Sequence, residues 1–436
     1  GSVLHYRGLV QGPNNSAVDI VHADTAAGNS TVVFGDAYYN TRGIFSGARG
    51  EKTVKNQGIP VFVIADRGSA DNALQLQMTP FSLVDKDREA YEWEYSLGYN
   101  DIGETGRDWV LYNSDNGVDS YHLRPESGAY VAAAMSWAKM HMRLHDRFGQ
   151  AYERDPFDAD HKPASAWVRQ EGTHTHFKMN KGEAKTQSLT SITQLGGDII
   201  RKEINNVWKY NLGAFIGNLD NHSKVRSWNK AESSSDGYAF GLYGTLYTGN
   251  SPDDGFYIDA WAMYNHFDNK IRDNNRPSFK YASHGWVYSL ESGLTLPLGE
   301  TGIKEEDTWI WTLQPEVQVI WDGVKAADAY DHVGTRYGQL GFDNVVLRAG
   351  ARLHANNMNR TLTYLEANWI HNTHDYGVIM GDTPVYMDGG RDLGEVRMGY
   401  EGHLSTNTLG WLTLSTQHGG SGFHNETIML GLRYMF

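Results

Sequence analysis

From about residue 164 to residue 436, apolar and polar residues alternate along the chain, and this pattern constrains the fold more than any other feature. Between residues 309 and 321, Gln314, Glu316 and Gln318 occupy one phase, and the other phase is Trp309, Trp311, Leu313, Pro315, Val317, Val319 and Trp321. The same alternation returns between residues 428 and 436. A period of two is typical of β-strands, because successive side chains point to opposite faces. About twelve such segments can be counted, which indicates an all-β unit.

Two kinds of β-structure share this alternation. In a soluble sandwich the apolar face packs a core and the other face is solvated. In a membrane barrel the apolar face meets lipid and the polar face lines the pore. The even strand count and a last strand that runs to Phe436 favour the barrel, which must close strand on strand. We therefore expect an antiparallel transmembrane β-barrel.

The composition agrees with a barrel and excludes some functions. Mean hydropathy is −0.53, and no stretch approaches the roughly 18 apolar residues of a spanning helix. A barrel still fits, because its two strand faces average to a polar value. The chain has no cysteine, hence no disulfide framework, and its net charge of −14 argues against a nucleic-acid partner. It opens on polar sequence without a signal peptide, so we expect a piece of a longer protein.

One long helix is predicted between residues 124 and 149. Pro125 and Glu126 suit its first turn, and Gly149 suits its end. About 26 residues would span roughly 39 Å, more than a hydrocarbon core. Its second half carries Lys139, Arg143 and other charges, so it is too polar to face lipid. We expect this helix in a polar barrel lumen.

Residues 1–120 contain short β-like runs separated by Gly, Asn and Asp, for example at 31–34, 61–64 and 74–78. Each run is too short to bury a face by itself. Stacked rungs of a β-helix, closed by a capping element, would use such runs well. A small β-sandwich is the alternative.

Several motifs resemble, in the same order along the chain, those of the autotransporter family of the AIDA and pertactin type. They are Arg124-Pro125-Glu126, Arg143-Leu144-His145-Asp146-Arg147, Trp167-Val168-Arg169-Gln170-Glu171-Gly172, Gln194-Leu195-Gly196-Gly197-Asp198-Ile199, Gly241-Leu242-Tyr243-Gly244-Thr245, Leu313-Gln314-Pro315-Glu316 and Asn368-Trp369-Ile370-His371-Asn372. The resemblance covers residues 124–436 and is weaker over 1–120.

The resemblance implies a twelve-stranded antiparallel outer-membrane barrel with a helix threaded through its pore, preceded by the β-helix-like end of an exported passenger. It divides the chain into a passenger end (1–120), a linker with the pore helix (121–152) and the barrel (153–436). It implies type V secretion in a Gram-negative outer membrane, with the N-terminal portion on the cell surface. The passenger is expected to be an adhesin or virulence factor whose host-cell ligand cannot be read. An outer-membrane enzyme or a porin is the alternative.

The same resemblance implies partners and an insertion signal. The expected partners are outer-membrane lipids, the barrel-assembly machinery and the chain's own passenger. The insertion signal of the family lies in the last strand, and here corresponds to Gly431, Leu432, Tyr434 and Phe436.

Charged residues of the helix and the lumen phase are the candidate functional contacts. We expect the helix residues to meet acidic partners on the wall, since wall and helix carry opposite charges. The candidates are Lys139, Arg143, Arg147, Arg169, Glu171, Glu366 and Glu401. In a water-filled pore each pair would contribute only a fraction of a kcal/mol, roughly as on a protein surface. Plain solvation of a polar lumen is the alternative.

Catalysis is not expected beyond self-cleavage. Some family members cut their passenger at paired asparagines in the helix, but residues 124–149 contain no Asn. Asn116-Gly117 suits a turn, and Glu171 or Glu366 would be the acids for another cleavage route. The pairs His141/His145 and His174/His176 lack a third ligand, so we expect no metal and no cofactor.

Overall fold

The structure is a computed structural model, and it describes residues 2–6, 8–9, 16–18, 20–26, 28–34, 49–66, 74–78, 81–148, 165–204, 207–249, 252, 254–274, 276–302, 308–357 and 361–436. Three parts follow one another along the chain. An N-terminal unit of short strands comes first, a mostly helical plug segment (residues 124–148) comes second, and a closed barrel comes last.

Among its described residues, the N-terminal unit has thirteen strands and one 3-10 turn, Lys55–Gln57. The strands are β1 (Ser2–Tyr6), β2 (Gly8–Leu9), β3 (Ala17–Val18), β4 (Val21–Thr25), β5 (Gly28–Phe34), β6 (Ile59–Asp66), β7 (Leu74–Met78), β8 (Phe81–Val84), β9 (Tyr91–Ile102), β10 (Gly106–Tyr112), β11 (Ser114–Asp115), β12 (Val118–Asp119) and β13 (Tyr121–Leu123).

Parallel rungs and an antiparallel cap make up this unit. Strand β5 pairs in parallel with β1 and β7, and β4 pairs in parallel with β6. The chain then turns antiparallel, in the order β6, β10, β9, β13, with β8 also on β9. The core is apolar and includes Tyr95, whose pKa burial raises to about 12. Parallel rungs closed by a cap match the predicted β-helix end rather than the sandwich.

The plug segment is only partly helical. It consists of α1 (Glu126–Trp137), a 3-10 turn (Ala138–Met140), an extended stretch and α2 (His145–Phe148). The prediction of one continuous helix from 124 to 149 was therefore wrong in extent, and the predicted end at Gly149 lies outside the described residues. None of the helices in the described part of the chain is long and apolar enough to cross a membrane.

The barrel is built from long antiparallel strands with shorter pieces in its loops. The strands are β14 (Ser165–Met179), β15 (Ala184–Glu203), β16 (Trp208–Arg226), β17 (Lys230–Thr248), β18 (Phe256–Asp273), β19 (Phe279–Leu294), β20 (Leu296–Thr301), β21 (Trp309–Asp322), β22 (Lys325–Ala326), β23 (Ala329–Tyr330), β24 (Arg336–Leu340), β25 (Asn344–Asn357), β26 (Thr361–Asn372), β27 (Gly377–Met380), β28 (Thr383–Asp388), β29 (Asp392–Ser405), β30 (Thr408–Gly419) and β31 (His424–Met435).

The barrel closes on itself because its first and last strands pair. Strand β14 pairs antiparallel with β31 from Ser165↔Met435 to His176↔His424. The wall has twelve strands in the order β14, β15, β16, β17, β18, β19, β21, β25, β26, β29, β30 and β31, with β20 and β22 continuing β19 and β21. The predicted fold, a twelve-stranded antiparallel barrel with a helix, is confirmed.

The outer face of the wall carries an apolar band. On β16 the outward residues are apolar from Trp208 to Ile216 and polar from Asn218 onward. Roughly ten residues at about 3.3 Å each, tilted by about 40°, give a band about 25 Å high, as in outer-membrane barrels. Aromatic rings lie at the edge of this band nearer the loop of residues 323–343, where Trp286 stacks on Tyr288 and Tyr288 stacks on Trp321. This face therefore fits a lipid environment.

The N-terminal unit lies at the barrel end with the longer loops. Residues 323–343 and 373–391 form those loops, whereas residues 406–407 are a short turn at the other end. Ser227 Oγ donates to the carbonyl oxygen of Leu123 at 2.9 Å, and Asn180 Nδ2 donates to the Tyr91 hydroxyl at 2.7 Å. Since longer barrel loops face the cell exterior, this unit lies on the exterior side.

A closed barrel predicts heat-modifiable migration on gels. Unheated protein should run as a compact, SDS-resistant species, because every wall strand is paired on both sides, and boiled protein should run near 48.8 kDa. The measurement is SDS gel electrophoresis of detergent-extracted protein with and without chelator. One band, unchanged by heating, would contradict the barrel.

The pore and its plug segment

Close contact with the wall fixes α1 along the pore. A Cβ atom at Gly128 would lie 2.9 Å from Val225 Cγ1, so only glycine allows this approach. Tyr130 stacks on Tyr281 with ring centroids 5.0 Å apart. Trp137 stacks on Phe267 with ring centroids 5.8 Å apart. All twelve residues of α1 are buried. The helix is therefore packed against the wall like a core element and is not surrounded by water.

The helix ends where side chains of the wall donate hydrogen bonds to its backbone carbonyl oxygens. His141 has an extended ψ of 145°, and the carbonyl oxygens of Met140, His141 and Met142 point to the wall. The donors are Gln194 Nε2 to Met140 at 3.1 Å, Arg169 Nη2 to His141 at 3.2 Å, and Trp261 Nε1 and Gln318 Nε2 to Met142 at 3.0 and 2.8 Å. These hydrogen bonds replace intrahelical ones, which explains why the periodicity predicted too long a helix.

Arg143 of the extended stretch reaches two wall carboxylates. Its two terminal nitrogens donate to Glu366 and to Glu395, which lie on the neighbouring strands β26 and β29. Arg348 approaches the same Glu366 carboxylate at 3.4 Å. All these groups are buried, so the arginine of the plug forms part of a charge network continuous with the wall.

Arg147 of α2 forms a two-pronged pair with Asp259 of β18. Its terminal nitrogens lie 2.5 and 3.1 Å from the two carboxylate oxygens, and both side chains are fully buried. The guanidinium carbon also lies 4.3 Å from the centre of the Tyr243 ring. Bidentate geometry of this kind gives both strength and direction.

Asp146 brings the opposite charge to the wall. Its Oδ1 lies 2.6 Å from Arg397 Nη2, and its Oδ2 lies 3.5 Å from Arg169 Nη1. The Arg143 amide donates to the same Oδ2 at 2.9 Å, which holds the start of α2. The plug therefore contributes both acidic and basic residues to its ion pairs with the wall.

The remaining predicted contacts are placed less directly. Lys139, Glu171 and Glu395 all line one cavity, which has a volume of about 180 Å³. Glu171 lies 3.4 Å from Arg169 and is partly exposed to that space. Glu401 lies 3.2 Å from Arg352 of the wall. The contacts of Asp146 and Asp259 were not predicted from the sequence, whereas Glu316, which lies 3.0 Å from His145, is on the polar strand phase that the sequence assigned to the lumen.

Burial makes these pairs more important than we expected. The expectation of a water-filled pore is wrong at Arg147, Asp259 and Glu366, whose side chains are at most 2% exposed. The close fit of α1 and α2 to the wall removes water from the space between them. Breaking a buried ion pair is far more costly than breaking an exposed one.

The two candidate cleavage acids are engaged in ion pairs. Glu366 pairs with Arg143, and Glu171 Oε2 lies 3.4 Å from Arg169 Nη1. Asn116 and Gly117 have φ values of 50° and 80° in the hairpin of β11 and β12, which is the turn that the sequence predicted. In the described residues no three His, Asp or Glu side chains are arranged to hold a metal.

The residues of the predicted insertion signal lie on β31 and at the chain end. Leu432, Tyr434 and Phe436 point outward and are 46%, 46% and 67% exposed. Gly431 points inward, where an added Cβ would lie 2.0 Å from the Trp411 ring. The strand thus presents an apolar row to the membrane.

The comparisons decide the family. Residues 166–415 match the family described as Autotransporter beta-domain. The chain belongs to the autotransporter family. Its β-barrel places it in the Gram-negative outer membrane, and the matching part of AIDA-I is described as a transport unit.

Relatives of the chain come from Escherichia coli. YuaQ and YdeU of strain K12 are 32% and 31% identical to it, and the matches cover all of this chain, 33% of YuaQ and 98% of YdeU. Autotransporter adhesin AIDA-I is 28% identical over the whole chain and over 33% of its own length. The crystal structure of the AIDA-I transport unit covers 72% of this chain and 100% of that one, with 29% identity and a TM-score of 0.66. The chain thus spans about a third of YuaQ and AIDA-I.

Removing Arg147 should loosen the plug. Arg147→Met leaves Asp259 buried without its bidentate partner, so we expect a loss of roughly 3–5 kcal/mol in stability. The measurement is the urea dependence of heat-modifiable migration. The double variant Arg147→Met/Asp259→Asn should recover most of the loss, because it removes both charges.

The matched control is Arg336→Met. Arg336 lies 3.0 Å from Asp328, and both side chains are 50% exposed, so its loss should change stability by less than about 1 kcal/mol. Equal effects of Arg147→Met and Arg336→Met would contradict the buried pair.

Proposed function

We propose that this chain is the export and anchoring end of a surface adhesin. In this proposal residues 1–120 are the C-terminal end of the passenger, 121–152 are the linker that carries the plug, and 153–436 are the translocator barrel. The boundary between linker and barrel falls outside the described residues.

One observation carries the proposal. The plug segment runs through the pore from the exterior end, where Leu123 contacts the turn at Ser227, to the opposite end, where Arg147 meets Asp259. The chain before it therefore lies outside the membrane, and the first wall strand begins at the inner end. This is the arrangement left behind when a polypeptide has passed outward through the barrel. A porin would instead need an open lumen.

The adhesin assignment rests on a relative. AIDA-I is named an autotransporter adhesin, and it matches this chain along its whole length. Because the chain spans only 33% of AIDA-I, the part that would bind a host-cell ligand lies elsewhere in such a protein. The parallel rungs β1, β5 and β7 support a passenger that is a longer β-helix.

Insertion by the barrel-assembly machinery would use the last strand. The outward row of Leu432, Tyr434 and Phe436 is exposed, apolar and regular, which suits recognition by another β-strand at the open edge of a forming barrel. Gly431 would belong to this signal by keeping the inner face free for Trp411.

Surface display tests the proposal. An epitope fused ahead of residue 1 should be accessible to antibody on intact Gram-negative cells, since the N-terminal unit lies at the exterior end. Accessibility only after permeabilisation of the outer membrane would contradict the function proposed.

A second arm separates insertion from export. Tyr434→Ser with Phe436→Ser should remove the chain from the outer-membrane fraction and abolish display. Tyr330→Ser, at a 60% exposed loop tyrosine, is the control and should leave both unchanged. Normal membrane content of the double variant would contradict the role of the last strand.

A further inference from the structure

Five buried charged residues lie where the N-terminal unit, the start of α1 and the outer barrel loops meet. We call this cluster the collar, and it consists of Glu92, Arg124, Glu126, Arg276 and Asp331. Glu92 belongs to β9, Arg124 and Glu126 belong to the plug segment, and Arg276 and Asp331 belong to barrel loops. None of the five residues is more than 7% exposed.

Glu92 is the contribution of the N-terminal unit to the collar. Its strand, β9, is flanked by β8 through Val84 and by β13 through His122, so Glu92 lies in the middle of the antiparallel cap. Ser82 Oγ donates to its carboxylate at 2.8 Å. The position of this carboxylate is therefore set by a cap whose strands have already assembled.

Two barrel turns reach the same carboxylate. Trp228, in the turn between β16 and β17, donates from Nε1 to Glu92 Oε1 at 2.7 Å. Arg276, between β18 and β19, donates to Glu92 Oε2. One buried carboxylate of the N-terminal unit thus joins two separate hairpins of the barrel. Hydrogen bonds to charged groups are stronger than neutral ones, and their loss in a buried site costs more.

Arg276 also holds the plug. Its Nη1 donates to Glu126 Oε1, in the first turn of α1, at 2.8 Å. A guanidinium has five N–H donors, enough to serve Glu92 and Glu126 together. The negative charge of Glu126 is favourable at a helix N-terminus. Arg276 is therefore shared between the folded N-terminal unit and the plug.

Arg124 completes the collar on the other side. It donates to Glu126 Oε1 at 2.9 Å, to Asp331 Oδ2 at 2.7 Å and to the carbonyl oxygen of Glu89 at 3.0 Å. A continuous path of charged contacts thus runs from β9 through Arg276, Glu126 and Arg124 to the longest barrel loop.

We infer that folding of the N-terminal unit outside the barrel seats and holds the plug in the pore, through the contact of Glu92 with Arg276. The inference rests on the proposed export of residues 1–120. Before β8, β9 and β13 assemble, Glu92 is not held near the barrel, and Arg276 has Glu126 as its plug partner. When the cap forms, Glu92 fixes Arg276 and the hairpins around α1. Coupling of this kind is reciprocal, so the seated plug also stabilises the cap.

The absence of cysteine from the chain provides a clean readout. Ser136→Cys places one thiol in α1, below the collar, at a side chain that is 2% exposed in the parent. The rate of its reaction with a charged maleimide, measured on purified barrels in detergent, reports how often the plug leaves its seat.

Three further variants on this background test the collar. We expect Glu92→Gln and Arg276→Met each to raise the labelling rate by about tenfold or more, the size of a typical coupling between sites. The control is Arg272→Met, on the same β18, whose pair with Glu232 at 2.7 Å is exposed. It should label at the parent rate.

Two outcomes would overturn the inference. Parent-like labelling of both Glu92→Gln and Arg276→Met would show that the plug seats without the collar. A rise in Arg276→Met alone would show that Glu126 is the partner that matters and that the N-terminal unit is not coupled. Surface display of the epitope-tagged parent is measured in a separate experiment. If the parent is not displayed, the proposed function is contradicted, but the labelling rates of the variants can still be compared.

Discussion

Burial of paired charges inside a closed barrel is the constraint on which the rest of this structure depends. A barrel must satisfy its backbone strand to strand, so its lumen-facing side chains are left to meet whatever fills the pore. Here the pore contains the chain's own residues 124–148. Arg143, Asp146 and Arg147 each meet opposite charges of the wall, because an unpaired ion in such a space would be strongly destabilising.

The same constraint shapes the plug. A straight helix could not present Arg143 to β26 and β29, Arg147 to β18 and its backbone carbonyls to the wall at once. The segment therefore becomes extended after Met140, and Gln318 and Trp261 take over the hydrogen bonds of the carbonyl oxygen of Met142. At the exterior end the collar extends the charge pairing to the N-terminal unit. Anchoring, pore filling and docking of the exported end thus use the same chemistry.

The sequence predicted most of the wall and less of the lumen. Alternation assigned the two faces of β21 and β31 correctly, because a period of two is a local property. Pairing of β14 with β31 follows from closure. The break at His141 was not predictable, since it depends on donors contributed by four distant strands. Arg276 and Glu92 were missed for a related reason. Arg276 lies in a barrel turn and Glu92 in a strand of the N-terminal unit, and only the assembled fold brings them together.

The central claim is that the chain plugs its own pore, and single-channel conductance in planar bilayers tests it most directly. The full chain should conduct poorly, because α1 and α2 fill the lumen and pair with its charges. The chain without residues 124–149 should open a pore of several-fold higher conductance while keeping its heat-modifiable migration. High conductance of the full chain, unchanged by that deletion, would contradict the account.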